Sequence, residues 1–436
     1  RNSEVDRSES NAPGGITPGR LARIMTSMYG LKPGFEKLAT LSEAFDVLDA
    51  NRLILGAEPI LLLDALHRVT AEDVVASINV PHFAKSSMDG YAVKAWDTLG
   101  ASQDTPRSLM IVGSASAGGV SGQISQGECI EIGTGAPMPV GADAVVMVEY
   151  TEPMVPSGTA VKKPVVPGEN VIPVATDVAV GDVVVHSETL LEPRHLGVLA
   201  AIGCKELSVK HRPRVALLST GPEVVEAGHT IGPGTIFDVN SHTLGAALTL
   251  DGAEVIHLGI APDKIDPLVS MIERGLEEAD AVLLSGGSSL GEGDLVAEAF
   301  IRLGEVLVHG VAVKPGKPLV LARSLRGATV GKMMIGLPGY PTSALSDYYV
   351  FVQRFLHGAL GIQPPRRGVV ATLSRKHVST PGRYEFLAVR VVGDEARPTT
   401  KGSSSITALS EADGFIEIDT NTEVVEKGAR VSVQFF

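Results

Sequence analysis

A glycine-rich stretch in the second half of the sequence is the first segment whose residue types indicate chemistry. The apolar run Ala281–Ser285 ends in two glycines, a polar segment and Asp294, and the run Leu295–Leu303 then fits a helix. Glycines let the backbone approach a ligand closely, and the N–H groups at a helix start favour an anion. A carboxylate beside a phosphate needs a cation between them, commonly Mg²⁺. The stretch therefore predicts an anion site with Asp294 as a metal ligand. An ordinary helix N-cap at Asp294 is the alternative.

Two lysines three residues apart form the second chemical signal. Lys314 and Lys317 bracket Pro315 and Gly316, and Pro318 follows directly. Two ammonium groups on a turn whose backbone is restrained by proline suit an oxyanion or a pyrophosphate. A solvated loop is the alternative interpretation.

These signals need elements that bring them together, and the segment after Arg214 provides them. Strands are predicted at 215–219, 254–259, 281–285 and 333–337, and helices at 241–250, 263–278, 295–303 and 344–356. This alternation predicts a parallel sheet with helices on both faces. Ligands of such sheets bind beyond the carboxyl ends of the strands. The polar segments 220–223, 285–294 and 338–343 all lie there, which predicts an anion or nucleotide site at this edge.

The rest of the chain has other patterns. Residues 1–34 are predicted to form a mobile tail, because they contain few large apolar side chains. Apolar residues recur at helical spacing in 59–73, which predicts an amphipathic helix. Short Val- and Ile-rich runs broken by glycine predict a β-rich region at 109–185, and similar runs after 369 predict a small barrel or sandwich. In the loop 80–93, Asp89-Gly90 is either a simple turn or part of a site.

Composition and charge exclude several classes of protein. The 436 residues are too many for one core, so two to four domains are expected. The net charge is −13, and no basic block of the nucleic-acid-binding kind is present. Cys129 and Cys204 form neither a disulfide framework nor a zinc pattern. No apolar run reaches transmembrane length and no signal peptide is visible, so a cytoplasmic location without a membrane partner is expected.

Six groups of motifs occur together, and they carry a family resemblance. They are Ser87-Met-Asp-Gly-Tyr-Ala-Val93; Gly133-Thr-Gly-Ala-Pro137 with Gly141-Ala-Asp-Ala-Val145; Ser219-Thr-Gly221; Ser285-Gly-Gly287 with Gly291-Glu-Gly-Asp294; Lys314-Pro-Gly-Lys-Pro318; and Leu337-Pro-Gly339 with Pro341. Over roughly residues 36–436 the chain resembles the MoeA family, the molybdopterin molybdenumtransferases that include the gephyrin E domain. The resemblance implies insertion of molybdate into adenylylated molybdopterin, release of AMP and assistance by Mg²⁺.

The resemblance also implies an architecture. It is a multidomain α/β plus β protein with a central doubly wound α/β (MogA-like) domain, a β-rich N-terminal region and a small C-terminal β-barrel. The implied domains are a linking and dimerisation region at 35–83 plus 173–210, an inserted β-rich domain at 84–172, an α/β molybdopterin-binding domain at 211–360 and a barrel at 361–436. Family members are elongated homodimers with the active cleft between subunits. Further partners implied are the upstream adenylyltransferase and the acceptor molybdoenzymes.

Site residues follow from the matched motifs. The resemblance implies catalytic roles for Asp89, Thr134, Asp177, Glu223, Asp263 and Asp294, with Asp294 also the metal ligand. Cofactor binding is implied for Ser219, Thr220, Gly221, Ser285, Gly286, Gly287, Pro338, Gly339 and Pro341. Oxyanion binding is implied for Lys314, Lys317, Pro318, Ser343, Arg383 and Ser403.

Two departures and three alternatives accompany the resemblance. Tyr340 stands where the family commonly has Asn, and the stretch after Gly287 is richer in serine than usual, so tungstate is an alternative to molybdate. A non-catalytic pterin-binding or scaffold protein is the alternative to an enzyme, although the charged clusters favour catalysis. A dinucleotide enzyme is disfavoured, because no Gly-x-Gly-x-x-Gly follows the strand 215–219.

Overall fold

The chain contains two compact units. The computed structural model describes residues 38–120, 122–287, 294–363, 367–399 and 405–436. Within these residues, an inner unit consists of Ala57–Lys210, and an outer unit consists of residues 38–56 with His211–Phe436. The backbone N–H of His211 donates to the carbonyl of Gly56 at 2.8 Å, so the outer unit closes across the point of insertion. The predictions for residues 1–34 and for Ser403 lie outside the described residues.

The outer unit begins with helix α1, Leu41–Ala50. Thr40 and Glu43 form a capping box, in which each side chain accepts a hydrogen bond from the backbone N–H of the other residue. This arrangement satisfies two N–H groups that the start of a helix leaves unpaired. Ala44 and Leu48 point into the core of the outer unit.

The inner unit is built almost entirely from strands. They are β1 (Ala57–Leu61), β2 (Val74–Val75), β3 (Lys85–Ser86), β4 (Gly90–Val93), β5 (Arg107–Ala115), β6 (Glu128–Ile132), β7 (Ala144–Met147), β8 (Thr151–Met154), β9 (Gly158–Val161), β10 (Val171–Ile172), β11 (Val183–Val185) and β12 (Glu206–Lys210). Six form one sheet in the order β7-β4-β6-β5-β9-β8, and the others pair as β1-β12, β10-β3 and β11-β2. Helix α2, Pro193–Ala201, lies in the same unit.

The amphipathic helix predicted at 59–73 is wrong. β1 pairs antiparallel with β12, and only a single 3₁₀ turn, Leu62–Asp64, follows it. Burial alternates along β1 with a period of two, and Leu63 is 92% exposed, so the apolar residues do not form one buried stripe. Pairing with a strand far along the chain decided the conformation, and the local spacing does not contain that information.

The centre of the outer unit is a six-stranded sheet in the order β16-β13-β17-β21-β20-β18. Its strands are β13 (Arg214–Thr220), β16 (Glu254–Ala261), β17 (Ala281–Ser285), β18 (Gly304–His309), β20 (Val320–Ser324) and β21 (Met333–Leu337). The short strands β14 (Val224–Val225) and β15 (Ile236–Phe237) pair with each other, and β19 (Val313–Lys314) belongs to another sheet. The sheet is mixed and not wholly parallel as expected, because β20 runs antiparallel to both β21 and β18. The connection from β20 to β21 is too short for the crossover that a parallel pair requires.

Helices cover both faces of this sheet, as predicted. They are α3 (Asn240–Leu250), α4 (Ile265–Glu278), α5 (Leu295–Leu303), α6 (Pro341–Asp347) and α7 (Gln353–Leu360). α3, α6 and α7 pack with one set of strand residues, such as Leu217 and Leu283, and α4 and α5 with the alternate set, such as Leu218 and Leu284. The predicted helix 344–356 is interrupted by a π-helical turn, Tyr348–Val352.

A closed barrel follows, in agreement with the prediction. The elements of this segment are β22 (Gly368–Leu373), β23 (His377–Val378), β24 (Tyr384–Val392), β25 (Glu395–Pro398), α8 (Thr407–Ser410), β26 (Gly414–Ile418), β27 (Val424–Val425) and β28 (Arg430–Phe435). Strands β23 and β27 pair with each other in a separate two-stranded sheet. The ring closes because β24 pairs with both β25 and β26, and β22 and β28 complete the circuit.

The strand β19 joins this barrel from outside. Val313 and Lys314 pair in parallel with Tyr384 and Glu385 at the start of β24. Residues just before β19 also exchange backbone hydrogen bonds with Ala39, which donates to Gly310 at 3.0 Å and accepts from Ala312 at 2.8 Å. We call residues 314–318 the lysine turn. The strand β19, which leads into it, is therefore held between an early and a late segment of the chain.

Among the described residues, no helix combines the length and the hydropathy needed to cross a membrane.

Candidate active site

The site begins where the order of strands reverses. The chain runs from β13 outward to β16 and then returns to the other side of β13 as β17, which places the reversal between β13 and β17. Ser219 and Ser285 are paired neighbours at the carboxyl ends of these two strands. Crevices of this kind are where ligands bind in open α/β sheets. The structure therefore brings the predicted residues of both segments to one place.

The loops after these strands pack backbone against backbone. A Cβ atom at Gly286 would lie 2.0 Å from the carbonyl oxygen of Thr220, and one at Gly287 would lie 2.7 Å from its Cγ2. Gly339, after β21, also approaches Gly286, with 3.5 Å between its Cβ position and the Cα of Gly286. Both Gly286 and Gly287 have positive φ angles. Glycine is therefore required at both positions for conformation as well as for space.

Asn240, the first residue of α3, ties two of these loops together. Its side-chain amide donates to Ser285 Oγ at 2.7 Å and to the carbonyl of Gly339 at 2.8 Å. Ser285 in turn donates to the carbonyl of Pro338 at 3.3 Å. Asn240 is 8% exposed, and its carbonyl oxygen has no hydrogen-bond partner among the described residues. The motif analysis did not identify this residue, although its place at a predicted helix start was a signal.

Asp294 caps helix α5. Its Oδ1 accepts from the backbone N–H of Ala297 at 3.0 Å, and its Oδ2 lies 3.1 Å from Nε2 of His309. The side chain is 6% exposed. The N-cap interpretation is thus correct in geometry, and the metal-ligand role of Asp294 stays a prediction. His309 was not predicted, because it lies on β18, outside the glycine-rich stretch.

The lysine turn lies directly against helix α6. Gly316 has a φ of +112°, and a Cβ atom there would lie 1.7 Å from Oδ1 of Asp347. Asp347 is 1% exposed, and its Oδ2 has no hydrogen-bond partner among the described residues. Burial raises the pKa of the Asp347 carboxyl group well above its ordinary value of 3.8. Protonation of Asp347 would remove a negative charge from beside Gly316.

Lys314 is paired with a buried acid. Its Nζ lies 3.3 Å from Oε1 of Glu385, and Nε2 of His377 lies 3.0 Å from the same oxygen. No motif pointed to either partner.

The other predicted residues of the outer unit lie around these groups. Ser343 is 4% exposed in the first turn of α6, one helical turn before Asp347. Arg383 directly precedes β24, whose first residues pair with β19. Glu223 follows β13, where its carboxylate lies close to Gly221, and Asp263 is exposed in the turn after β16. Pro318 follows Lys317, and Pro341 begins α6.

A cavity of about 250 Å³ adjoins the start of α6. Pro341, Tyr349, Leu409 and Phe436 are among the residues that line it. Its mostly apolar lining does not suit an oxyanion. The lysine turn therefore remains the better oxyanion site.

Three predicted site residues lie in the inner unit, and two of them are in contact. Asp89 accepts hydrogen bonds from the backbone N–H of Thr134 at 2.6 Å and from its hydroxyl at 2.9 Å. These bonds, the backbone bond foremost, lower the pKa of Asp89 and keep it ionised. Asp177 is exposed, and its backbone N–H donates to Val80 at 3.0 Å. Asp89 and Thr134 are therefore in direct contact, and the catalytic roles of Asp89, Thr134 and Asp177 stay predictions.

Comparison with known proteins decides the family. Three family models match successive segments: the MoeA N-terminal region (domain I and II) at residues 39–203, the "Probable molybdopterin binding domain" at 216–358, and the MoeA C-terminal region (domain IV) at 370–436. Molybdopterin molybdenumtransferase 2 of Mycobacterium tuberculosis is 34% identical over 388 residues, which cover 85% of this chain and 93% of the relative. The chain belongs to the MoeA family.

Further relatives agree with this assignment. The molybdopterin molybdenumtransferase of Bacillus subtilis is 30% identical over 387 residues, covering 86% of this chain and 89% of the relative. The crystal structure of a molybdopterin biosynthesis MoeA protein from a Pyrococcus species superposes with a TM-score of 0.81 at 36% identity, covering 92% of this chain and 99% of that chain. The predicted family and fold class are confirmed. The crevice between β13 and β17 lies in the segment that matches the molybdopterin-binding model.

Proposed function

We propose that this MoeA protein is a molybdopterin molybdenumtransferase of molybdenum cofactor biosynthesis. It inserts molybdate into adenylylated molybdopterin and releases AMP. The observation that carries the proposal is the crevice at the carboxyl ends of β13 and β17, where the order of strands reverses and Gly286 and Gly287 pack closely on Thr220. The relatives' names, molybdopterin molybdenumtransferase, support the transfer of molybdenum to molybdopterin.

The oxyanion binds at the lysine turn. Molybdate is a tetrahedral dianion and needs cationic and hydroxyl donors. Lys317 and Lys314 supply ammonium groups, and Arg383 directly precedes β24, the strand that pairs with β19. Ser343 lies on α6, whose Asp347 packs on Gly316, which supports its assignment as a hydroxyl donor. We propose that Pro318 contacts the oxyanion without donating a hydrogen bond, and that Ser403 is a second hydroxyl donor.

The described residues fit Mg²⁺ only as an ion shared with the substrate. They contain no cluster of three or more His, Cys, Asp or Glu side chains that could hold a metal. Mg²⁺ at phosphate sites is commonly held by one or two carboxylates together with the phosphates. Asp294 can serve in this way, because its Oδ2 faces only the imidazole of His309 among the contacts described above. When bound, the ion would offset charge on the phosphoanhydride. Glu223 and Asp263 are proposed to orient water.

Assembly is a further part of the proposal. We propose a homodimer in which Asp89, Thr134 and Asp177 of one subunit complete the site of the other. An upstream adenylyltransferase would deliver adenylylated molybdopterin, and the finished cofactor would be passed on to acceptor molybdoenzymes. The hydrogen bonds that lower the pKa of Asp89 support a role in which its carboxylate acts as a negative charge in the site. A cytoplasmic location agrees with two cysteines that are both free. The finer domain boundaries given above stay a prediction.

A single-turnover experiment tests the function. The purified chain is incubated with adenylylated molybdopterin, Mg²⁺ and either molybdate or tungstate, and AMP release and metal-loaded cofactor are followed. AMP release that depends on the oxyanion supports the proposal, and the better oxyanion identifies the metal. If a folded chain binds the pterin but releases no AMP, the scaffold interpretation replaces the enzyme.

A further inference from the structure

Glu385 is a buried carboxylate in the barrel, next to the lysine turn. It is the second residue of β24, and its Cα pairs with that of Lys314 in β19. Its side chain is 6% exposed. A buried carboxylate is costly unless charged or polar partners compensate it. Its contacts therefore indicate why this position carries an acid.

One oxygen of Glu385 makes both contacts. Lys314 Nζ lies 3.3 Å and His377 Nε2 lies 3.0 Å from Oε1. Both nitrogen atoms donate, because an ionised carboxylate can only accept. The second oxygen, Oε2, is buried and has no hydrogen-bond partner among the described residues. The charge of Glu385 is thus directed at Lys314 from one side and held by His377 from the other.

The two lysines of the turn are therefore not equivalent. Lys314 is 42% exposed in its side chain, so its ammonium group can contact Glu385 and an anion in solvent at the same time. Lys317 has no ion-pair partner within the described part of the chain. A bound anion therefore shares Lys314 with Glu385, whereas Lys317 has no such competitor among the ion pairs of the described residues.

We propose that Glu385 is a positioning residue of the oxyanion site, which holds Lys314 at the end of β19 and offsets its charge so that the oxyanion is bound weakly enough to be passed on. The inference rests on the proposed function. Tight binding of a substrate in its ground state does not speed its transfer. An acid that shares one of two lysines lowers ground-state affinity while keeping that lysine in place.

The test measures molybdate and tungstate dissociation constants by calorimetry on the full chain. Glu385→Gln keeps the shape of the side chain and removes its charge, so both oxyanions should bind about threefold or more tighter. In a Lys314→Met background, the same substitution should leave the dissociation constant unchanged, because the effect acts through Lys314. Glu417→Gln, on the exposed face of β26 in the same sheet, removes the same charge and should change nothing.

A merely structural Glu385 would give a different result. Unchanged or weaker oxyanion binding by folded Glu385→Gln, or equal tightening by Glu417→Gln, overturns the inference. If Glu385→Gln does not fold, Lys314→Met is compared with Lys317→Met: a smaller loss of affinity for Lys314→Met supports the inference, and an equal or larger loss overturns it. If the unaltered chain binds neither oxyanion, the proposed function itself is wrong. If the unaltered chain binds an oxyanion but Glu385→Gln does not tighten that binding, only the inference about Glu385 is wrong.

Discussion

At the residue scale, the buried carboxyl group of Asp347 makes the stability of the chain depend on pH. It lies beneath Gly316, and burial raises its pKa. Because the folded chain holds the proton more tightly than the unfolded chain does, the stability contribution of Asp347 is complete below pH 3.8 and is lost as the pH rises towards the raised pKa.

We therefore expect Asp347→Asn to become increasingly stabilised, relative to the unaltered chain, as the pH rises from 4 to neutrality. The amide resembles the protonated acid in shape and cannot ionise. Thermal unfolding of both proteins over this pH range measures the difference in melting temperature. The contributions of the other carboxyl groups are the same in both proteins and cancel in this difference. A difference in melting temperature that does not vary with pH would show that Asp347 is ionised in the folded chain.

Asp294 allows a test that separates its two roles. Asn is as good an N-cap as Asp, so Asp294→Asn should retain the fold. If the carboxylate holds Mg²⁺, single-turnover AMP release should fall by at least about 100-fold, since it removes charge stabilisation in the transition state. Circular dichroism checks the fold. AMP release at the unaltered rate would leave Asp294 with the helix cap alone.

The residue types of the site were predictable where they were clustered in sequence. The lysine turn and the glycine loops carry their own spacing signals. Glu385 and His377 carry none, because their relation to Lys314 exists only through the pairing of β19 with β24. The geometry of Asp294 shows a further limit, because a helix cap and a metal ligand require the same residue type at the same place.

At the scale of elements, one helix start connects the loops of the crevice. Asn240 begins α3 and donates to the loops after β17 and β21. Asn240→Leu should lower the free energy of unfolding by about 1–3 kcal/mol, since it leaves buried acceptors unpaired. It should also weaken molybdopterin binding, because the two loops lose their connection.

Denaturant titration and fluorescence-detected binding measure these effects. Thr249→Ala, at the exposed far end of the same helix, is the matched control and should preserve binding. If Asn240→Leu lost stability but bound molybdopterin as before, the amide would be structural only.

Strands β18 and β20 of the α/β sheet were not predicted, whereas the other four were predictable because each is a short, largely apolar run between turn residues. The segment 59–73 was not, since a strand that pairs at long range can carry apolar residues at helical spacing. The π-helical turn after α6 was also missed. There Tyr348 donates to Asp251 at 2.6 Å, and Gln353 and His357 contact the same carboxylate, so distant groups determine where the helix widens.

At the scale of the whole molecule, the inner unit is an insertion. The outer unit has its own core, and Gly56 and His211 meet through a backbone hydrogen bond. A chain in which a short glycine linker replaces residues 57–210 should therefore fold cooperatively. Thermal unfolding and amide hydrogen exchange of that chain measure this. A broad, non-cooperative transition would mean that the outer unit depends on the inner one.

The domain content was predictable because the sequence pattern changes along the chain. Short strands come first, and alternating strands and helices follow. The membership of β19 was not. Its two residues lie within the α/β segment in sequence but pair with the barrel, and so the boundary in space differs from the boundary in sequence.

The position of β19 between Ala39 and β24 has a consequence for synthesis. A ribosome makes the two lysines well before it makes Glu385, and at roughly 5–20 residues per second a few seconds pass between them. During that interval β19 has an open edge and Lys314 lacks its acidic neighbour. The nascent chain would thus expose two lysines that cellular phosphates could bind, until β24 emerges and Glu385 pairs with Lys314.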